Sequence, residues 1–263
     1  MKAKRISRRH LLGMGAAGVG GLILSGCDQL DVLGEQDSAA RSFLEKANNL
    51  TYRVQRLIAR DALAREYSES EIRQGQRPNG SRDPSTPEYL ALKDNDFADY
   101  RLKITGLVEK PLEISLAELH NMPSRTQITR HDCVEGWSCI AKWTGTPLSF
   151  VLDQARVRPT ARYAVFHCYD NYGGGEDPAF NLYYESCDLV DARHPQTILA
   201  YGLNGATLPV ANGAPLRLRL ERALGYKQPK YVHTIELVDS FQQFGRGKGG
   251  FWEDRGYDWY GGI

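Results

Sequence analysis

A series of short strand-like segments in the second half of the chain constrains the fold more than any other feature. Polar and apolar residues alternate from Tyr100 to Val108, as in a strand with one buried face. Further strand-like runs occur at 125–130, 162–169, 215–221 and 231–238. Brief helices are predicted at Ser115–Leu119, which begins like a capping box, and at Thr146–Gln154. This irregular order predicts an α+β domain with a mixed sheet.

The segments that flank this domain differ in character. From Asp37 to about Tyr67, apolar residues recur at helical spacing, which predicts an amphipathic helix with Asp37 or Ser38 as its N-cap. These residues are Phe43, Ala47, Leu50, Val54, Leu57 and Ile58. Residues 74–88 are rich in turn formers and predict an extended loop that wraps the domain or reaches a ligand. The glycine- and aromatic-rich residues 245–263 predict an ordered closing segment.

The N-terminus resembles a targeting segment and is left out of the fold prediction. Arg8 and Arg9 lie in a basic region, as in a twin-arginine export signal. The mildly apolar stretch that follows ends in Leu-Ser-Gly-Cys27, which resembles the lipobox of bacterial lipoproteins. This stretch is short for a spanning helix, and an ordinary uncleaved anchor is the alternative. We therefore expect a signal peptide over residues 1–26.

The remaining chain is predicted to form an N-terminal helix and loop at 27–95 and one main domain at 96–263. Removing residues 1–26 takes away five basic residues and no acidic ones, so the formal net charge changes from +1 to −4. Such a charge excludes the basic footprint of a nucleic-acid-binding protein. We expect a periplasmic protein that is exported in folded form and anchored to the inner membrane by acyl chains on Cys27, because two acyl chains make a stable anchor.

The chain has five cysteines, one of which the lipobox assigns to lipidation. The others are Cys133, Cys139, Cys168 and Cys187. In an exported protein, Cys168 and Cys187 are the favoured disulfide pair, although Cys168 also suits a buried free cysteine in its strand. A zinc site is an alternative, but the spacings match no usual structural-zinc pattern. Its ligands would be His131, Cys133, Cys139 and Cys168.

Cys133 stands apart because charged and aromatic residues surround it, in Thr129-Arg-His-Asp-Cys133-Val-Glu-Gly-Trp-Ser138. Arg130 and His131 could lower the pKa of its thiol and favour the thiolate, which attacks electrophiles or binds soft metals. The residues alone leave three interpretations open. Cys133 is a nucleophile with His131 as its base, a metal-ligating thiolate, or a structural cysteine.

Three ordered segments resemble a known family. The stretch from Arg130 to Ser138, followed by Trp143-Thr-Gly-Thr-Pro-Leu148, resembles the molybdenum-cysteine segment of bacterial sulfite-oxidase-like proteins. Leu199–Arg217 resembles the pterin-binding stretch of that family, and Gly225–Val232 resembles its phosphate-holding turn. The likeness runs from about Asn79 to the C-terminus. It identifies the chain as a member of this molybdopterin-dependent family and implies its α+β cofactor-binding domain.

The resemblance implies a role for each matching residue. Cys133 would be the protein ligand of molybdenum in Mo-molybdopterin, beside the pterin dithiolene sulfurs and oxo or hydroxo groups. The residues implied at the pterin are Asn212 and Arg217, and those implied around its phosphate are Lys227, Gln228 and Lys230. Lys227 and Lys230 have solvated surface charges as their alternative interpretation. Asn79 and Asp170 match further cofactor contacts. His131 either hydrogen-bonds the cofactor or is structural.

The cofactor implies oxygen-atom transfer, with molybdenum alternating between its +6 and +4 states. Sulfite-oxidising relatives place arginines just after the ligand cysteine, whereas this chain has Val134-Glu-Gly-Trp-Ser138 there. A carboxylate and an indole suit a neutral or larger S-oxide better than a sulfite dianion. We therefore expect reduction of a sulfoxide such as methionine sulfoxide, with sulfite dehydrogenation as the alternative.

Electrons must come from another protein, because the chain contains neither a Cys-x-x-Cys-His haem attachment nor a flavin fingerprint. The resemblance implies a membrane b-type or a soluble c-type cytochrome as the redox partner. It also implies a monomer, since the extra dimerisation domain of the animal and plant enzymes is not expected. Two other classes remain, a cysteine-nucleophile hydrolase and a cofactor-free binding lipoprotein.

Overall fold

Two five-stranded sheets organise the protein in the computed structural model, which describes residues 39–173 and 181–263. The strands are β1 (Arg101–Gly106), β2 (Leu112–Ser115), β3 (Arg125–Cys133), β4 (Trp137–Pro147), β5 (Tyr163–Asn171), β6 (Leu182–Asp188), β7 (Ile198–Leu203), β8 (Ala206–Thr207), β9 (Arg217–Arg219) and β10 (Val232–Val238). The helices are α1 (Ala39–Ile58), α2 (Pro87–Asp94), α3 (Leu116–Asn121), α4 (Leu148–Ala155) and α5 (Leu189–Ala192).

The first sheet is mixed, in the order β2-β1-β10-β5-β6. Only the β1–β10 pair is parallel, with Ile104 opposite Ile235, and the other pairs are antiparallel. The second sheet is antiparallel, in the order β3-β4-β7-β8, with β9 also paired to β7. The predicted α+β class with mixed-sheet pairing is confirmed, and each predicted strand run contains a strand.

Alternation along the strands separates core from surface. Leu102 and Ile104 on β1 are fully buried while their neighbours Arg101 and Lys103 are exposed, as the sequence pattern requires. A second, smaller cluster of buried apolar side chains surrounds Trp143 on β4. Burying apolar side chains in this way stabilises the sheets by about 1.5–3 kcal/mol for each large side chain.

The helix starts follow local capping chemistry. The Ser115 hydroxyl accepts from the Glu118 N–H at 3.2 Å, and the Glu118 carboxylate accepts from the Ser115 N–H at 2.8 Å, so the predicted capping box of α3 is confirmed. The predicted helix over Thr146–Gln154 is confirmed as α4, which begins two residues later, at Leu148.

The long N-terminal helix ends earlier than predicted. It stops at Ile58, whereas the sequence pattern extended it to about Tyr67. The correction has a tertiary cause, because the Gln196 side chain bonds the backbone of Ala64 and the Tyr67 N–H donates to the Ile128 carbonyl on β3 at 2.9 Å. These partners replace the helical hydrogen bonds of this segment.

The turn-rich segment predicted over 74–88 and the glycine- and aromatic-rich segment 245–263 behave largely as predicted. Residues 74–86 contain no helix or strand, and α2 begins at Pro87, where proline is favoured in the first turn. The C-terminal segment packs on the domain through its aromatic side chains. The Trp259 ring stacks on Phe241 and meets Tyr163 edge-on, with ring centres about 5.5 Å apart.

By its contacts the chain divides into two compact units, Met1–Thr51 and Tyr52–Ile263. In the first unit, the described residues form the N-terminal part of α1. Within the described residues, none of the helices has the length and apolar character required to cross a membrane. The predicted signal peptide, Cys27 and the helix N-cap at Asp37 or Ser38 lie outside the described residues.

Candidate functional site

The β3–β4 hairpin positions Cys133. Cys133 ends β3 and lies opposite Trp137, the first residue of β4. Gly136 makes the turn possible, because its φ of +83° favours a residue without a Cβ and its N–H donates to the Cys133 carbonyl at 3.0 Å. The tight turn brings Cys133 and the next two residues, Val134 and Glu135, to the wall of a cavity.

This cavity, which we call the Cys133 cavity, has a volume of about 270 Å³. Its lining comes from distant parts of the sequence: the 74–86 loop, the hairpin, the region of β5 and β6, the 226–230 segment and the C-terminal segment. Five of the sequence-predicted site residues meet there: Asn79, Cys133, Asp170, Gln228 and Lys230. The structure therefore brings together most, but not all, of the predicted constellation.

The predicted electrostatic activation of the Cys133 thiol is wrong for the protein alone. Burial raises the pKa of the half-buried Cys133 thiol. Arg130 faces solvent and is engaged by Asp132 at 2.9 Å. Burial, and then the Arg219 charge, lowers the pKa of His131 well below its usual range, so its imidazole is neutral. The two neighbours thus supply little positive charge, and a bound metal would have to deprotonate the thiol itself.

His131 lies behind the Cys133 cavity and does not line it. Its Nδ1 accepts from Arg219 at 2.9 Å, since a guanidinium can only donate. Arg219 in turn forms a fully buried ion pair with Glu221 at 2.7 Å. Gly225 packs directly against the His131 ring. A Cβ at residue 225 would lie 2.5 Å from the Nε2 atom of His131, so a larger residue would not fit there. The second of the two sequence interpretations, a structural histidine, fits this geometry better.

Arg217 and Asn212 do not line the cavity, but Arg217 bonds the backbone of Gln228, which does. The fully buried Arg217 guanidinium donates to the carbonyls of Asn212 at 2.9 Å and Gln228 at 3.2 Å, and its Nε has no hydrogen-bond partner. It stacks over Trp143 at 5.0 Å. Arg217 forms no ion pair within the described residues. A buried cation without a carboxylate is costly, so this position favours a bound anion or polar ligand.

Lys230, at the cavity wall, is also a buried cation without a carboxylate ion-pair partner among the described residues. Its ammonium donates to the carbonyls of Ser81 and Ala211. Burial, and then the Arg217 charge, lowers the pKa of Lys230 to about 7. Burial also raises the pKa of Asp170, which lines the same cavity. Such a lysine gains most from an anion placed beside it.

The environment of Lys227 differs from the predicted one. Its ammonium is buried between two carboxylates, Glu185 and Glu253, at 2.5 Å each. Burial alone would lower its pKa, but these two charges raise it above its ordinary value. Lys227 also lines a different cavity, of about 120 Å³, formed with residues such as Trp259 and Arg222. The geometry therefore argues against the predicted phosphate contact of its side chain, and equally against a solvated surface lysine.

Sequence reasoning missed the aromatic wall of the Cys133 cavity. Its members are Tyr172, Tyr183, Tyr226, Trp252 and Tyr257. The Tyr183 hydroxyl donates to the Tyr226 carbonyl, which ties two parts of the wall together. The aromatic richness of residues 245–263 was the available signal, since two of the five belong to that segment. Aromatic walls of this kind exclude water and contact flat ligands.

The remaining cysteines are free. Cys168 and Cys187 are both buried and unpaired, so the predicted disulfide is wrong and the buried free cysteine is confirmed for Cys168. The β5–β6 register is the reason, because Cys187 lies opposite Ala164, four residues from Cys168. Among the described residues no group of three or more metal-ligating side chains is gathered, which excludes the zinc alternative there.

A profile of the oxidoreductase molybdopterin-binding domain matches residues 89–244, more than half of the chain. The chain belongs to this family. The sequence resemblance is thus confirmed at the level of the family, and the cofactor of the domain is Mo-molybdopterin. The matched range contains the β3–β4 hairpin, Asp170 and the 212–230 segment.

Curated relatives support the same assignment. The chain is 40% identical over 171 residues, 65% of its length and 59% of the other protein, to the putative protein-methionine-sulfoxide reductase subunit YedZ1 of Azospira oryzae. It is 37% identical over 147 residues, 53% of its length and 47% of the other protein, to the protein-methionine-sulfoxide reductase catalytic subunit MsrP of Gluconobacter oxydans. The chain therefore spans about half to three fifths of the length of these relatives.

A solved structure is also similar, the sulfane dehydrogenase SoxCD from Paracoccus pantotrophus. The two are 26% identical with a TM-score of 0.47, over 54% of this chain and 39% of that chain.

The residues present fit the cofactor of this family. Two buried cations at or beside the Cys133 cavity, Arg217 and Lys230, have no carboxylate partner in the described residues, and a pterin phosphate would supply the missing anion. Gly213 lets the stems of these two side chains lie close together, since a Cβ there would lie about 3.0 Å from the Cβ of Lys230 and about 3.1 Å from that of Arg217. The half-buried Cys133 thiol at the same cavity is a soft ligand of the type molybdenum accepts.

Proposed function

We propose that this protein is an exported oxidoreductase that reduces a sulfoxide such as methionine sulfoxide. The single observation that carries the substrate class is the charge of the Cys133 cavity. Its described lining contains Glu135, Asp170 and Lys230 as its charged residues and no arginine. A site for the sulfite dianion would require cations at its open side, whereas a neutral S-oxide does not.

In this proposal Cys133 holds the molybdenum, and Lys230 with Gln228 binds the pterin phosphate. Arg217 and Asn212 support the pterin, while Asn79 and Asp170 contact it at the cavity wall. The bound cofactor supplies two-electron oxygen-atom transfer. The substrate loses its oxygen, which leaves as water after taking up two electrons and two protons, and the sulfide is released.

Glu135 and Trp137 position the substrate in this proposal. The Trp137 indole N–H donates to the Glu135 carboxylate at 2.8 Å, and the Arg77 guanidinium lies 3.7 Å from the same carboxylate. Arg77 also lies over the Trp137 ring at 5.0 Å. This contact between the 74–86 loop and the hairpin leaves no free cation beside Glu135, which disfavours an anionic substrate.

Electrons are proposed to come from a b-type or c-type cytochrome. The relatives are named as reductase subunits, which suggests a dedicated redox partner for this chain as well. Export by the twin-arginine route, lipidation of Cys27, a periplasmic location at the inner membrane and a monomeric state remain predictions from the sequence. So do the domain boundaries at residues 26 and 95.

The test is the metal content and activity of the natively exported protein. We expect about one molybdenum per chain, reduction of methionine sulfoxide with an artificial electron donor, and little oxidation of sulfite. Cys133→Ser should lose both metal and activity, whereas Cys139→Ser, a buried cysteine that does not line the cavity, should keep them.

Three results would reverse the proposal. Full activity of Cys133→Ser would remove the metal-ligand role. Rapid oxidation of sulfite with no reduction of methionine sulfoxide would replace the reductase by the sulfite dehydrogenase. Protein free of molybdenum that is labelled at Cys133 by a substrate analogue would instead indicate the hydrolase.

A further inference from the structure

From Tyr52 onward, helix α1 belongs to the second unit and contacts the rest of that unit through its polar side. The Tyr52 hydroxyl donates to Asp188 at 2.6 Å, and Arg56 forms ion pairs with Asp188, at 2.9 Å, and Asp191. Tyr52 also meets the Trp259 ring edge-on at 5.6 Å. These two residues are four positions apart and therefore lie on one side of the helix. The side that a surface helix normally exposes is here the side that binds the domain.

The opposite side of α1 is apolar and exposed. With 3.6 residues per turn, its members fall within an arc of about 100° centred opposite Tyr52 and Arg56. They are Phe43, 71% exposed, Leu50, 63%, Val54, 42%, Leu57, 84%, and Ile58, 77%. We call these five residues the apolar stripe. It is about 22 Å long at 1.5 Å per residue. Single exposed apolar residues are ordinary, but a continuous stripe marks an interaction surface.

Cations line one edge of the apolar stripe. Lys46 and Arg53 are exposed and seven positions apart on α1, and the exposed Arg60 follows seven positions later, just beyond the helix. None of the three forms an ion pair within the part of the chain that the structure describes. The single acidic residue of α1, Glu45, lies seven positions before Tyr52 and therefore on the side of the helix that carries Tyr52, away from the apolar stripe.

We infer that α1 lies on an anionic lipid surface, with the apolar stripe in the headgroup boundary and the three cations at its edge. An apolar face beside a basic edge is the pattern of a helix that lies in the membrane interface. Lys and Arg side chains are long enough to keep their charges at the headgroups while the stripe is immersed. Tyr52 and Arg56, on the other side of the helix, remain bound to Asp188 and Asp191 of their own unit.

A lipid surface fits this face better than a second copy of the chain. The exposed Asp61 follows Arg60, so two copies that met through the stripe would bring together six unpaired cations and only two such carboxylates, which is unfavourable. Anionic lipids supply the missing negative charge, and each cation near such a surface contributes about 1 kcal/mol, or about fivefold in binding. This inference does not depend on the proposed reaction or on lipidation of Cys27.

The test is binding to vesicles by the chain that remains after the predicted cleavage, residues 27–263, with Cys27→Ser so that no acyl chain is attached. We expect it to sediment with vesicles of phosphatidylethanolamine and phosphatidylglycerol, and more weakly with phosphatidylcholine. Leu50→Ser with Leu57→Ser should lower the partition coefficient at least about tenfold, since two exposed leucines lose their burial in lipid. The matched control, Leu63→Ser with Leu90→Ser, alters exposed leucines outside α1 and should change nothing.

A second experiment tests the contribution of the cations. It uses the double variant Lys46→Gln with Arg53→Gln and compares it with the exposed control pair Lys103→Gln with Lys110→Gln. The α1 pair should weaken binding to anionic vesicles about 10- to 30-fold and leave binding to phosphatidylcholine unchanged. Circular dichroism verifies that each variant is folded. Three outcomes overturn the inference: no binding of the unaltered chain to anionic vesicles, equal binding of the stripe variant, or a concentration-dependent dimer that the stripe variant abolishes.

Discussion

Two buried lysines, three positions apart, have opposite surroundings. Lys227 lies between Glu185 and Glu253, whose charges raise the pKa of its ammonium. Lys230 has backbone carbonyls but no carboxylate as ion-pair partner among the described residues, and burial lowers its pKa to about 7. The same residue type, in one segment that resembles a phosphate-binding turn, therefore has two uses. Lys227 neutralises two buried carboxylates of the protein, whereas Lys230 is available to bind an anion.

The largest expected effect comes from removing the first lysine. Lys227→Met leaves two buried carboxylates without their cation, which typically costs about 3–5 kcal/mol. Urea denaturation of the cofactor-free protein measures this loss. Lys230→Met in the same protein should cost nothing or stabilise it, because the charge it removes is buried without an ion-pair partner. Equal losses in the two variants would contradict the comparison.

A companion variant separates charge from packing. Burial, and then the neighbouring Glu253 charge, raises the pKa of Glu185 well above its usual range. Adding Glu185→Gln to Lys227→Met should therefore recover a large part of the lost stability. If it recovers none, Lys227 stabilises the fold by packing and not by its charge.

The second effect is on cofactor retention. Lys230→Met should lower the affinity for the pterin by about 10- to 100-fold, since a hydrogen bond to a charged group contributes about 1.5–3 kcal/mol. Pterin fluorescence and molybdenum content of the purified variant measure it. Retention of the full pterin content by folded Lys230→Met would show that the phosphate lies elsewhere.

A smaller effect is expected at Gly213, which separates Lys230 from Arg217. Gly213 has a φ of +117°, and an added Cβ would lie about 3.0 Å from both side chains. Gly213→Ala should cost about 1–2 kcal/mol of stability through the backbone conformation alone. It should also lower cofactor content further than Gly205→Ala, whose φ is +82° but whose Cβ would meet no neighbouring atom.

The most gradual effect, small in any single step of pH, is a pH dependence of the cofactor-free protein. The pKa of Lys230 is about 7 in the folded state and about 10.4 when unfolded, so between these values the unfolded state binds the additional proton. Stability from this group therefore rises with pH above about 7, by at most about 1.4 kcal/mol per pH unit. The difference between the unaltered protein and Lys230→Met, followed by urea denaturation from pH 6 to 10, should show this slope. A constant difference would mean an ordinary lysine.

Much of the local structure followed from local patterns. Local patterns predicted five of the ten described strands, β1, β3, β5, β9 and β10, and the Ser115–Glu118 spacing predicted the start of α3, because both depend on residues within a few positions. The family also followed from short motifs. The motif around Cys133 is local, because its hairpin turn depends on Gly136 within the motif itself. The prediction extended α1 too far, because the partners that end it, such as Gln196, come from a distant part of the chain.

The sequence by itself determined the α+β class and the family, because three motifs occur in the order of that family. It also named the five residues that meet at the Cys133 cavity, three of which belong to these motifs. Only the tertiary structure decided which charges find partners. Glu185 and Glu253 lie 42 and 26 positions from Lys227, and their contact could not be seen in any local pattern. The exposure of Leu57 and Ile58 was decided in the same way, since Tyr52 and Arg56 on the other side of the helix bind Asp188. Burial and ion pairing are properties of the folded surroundings, so the meaning of a lysine or a leucine depends on them.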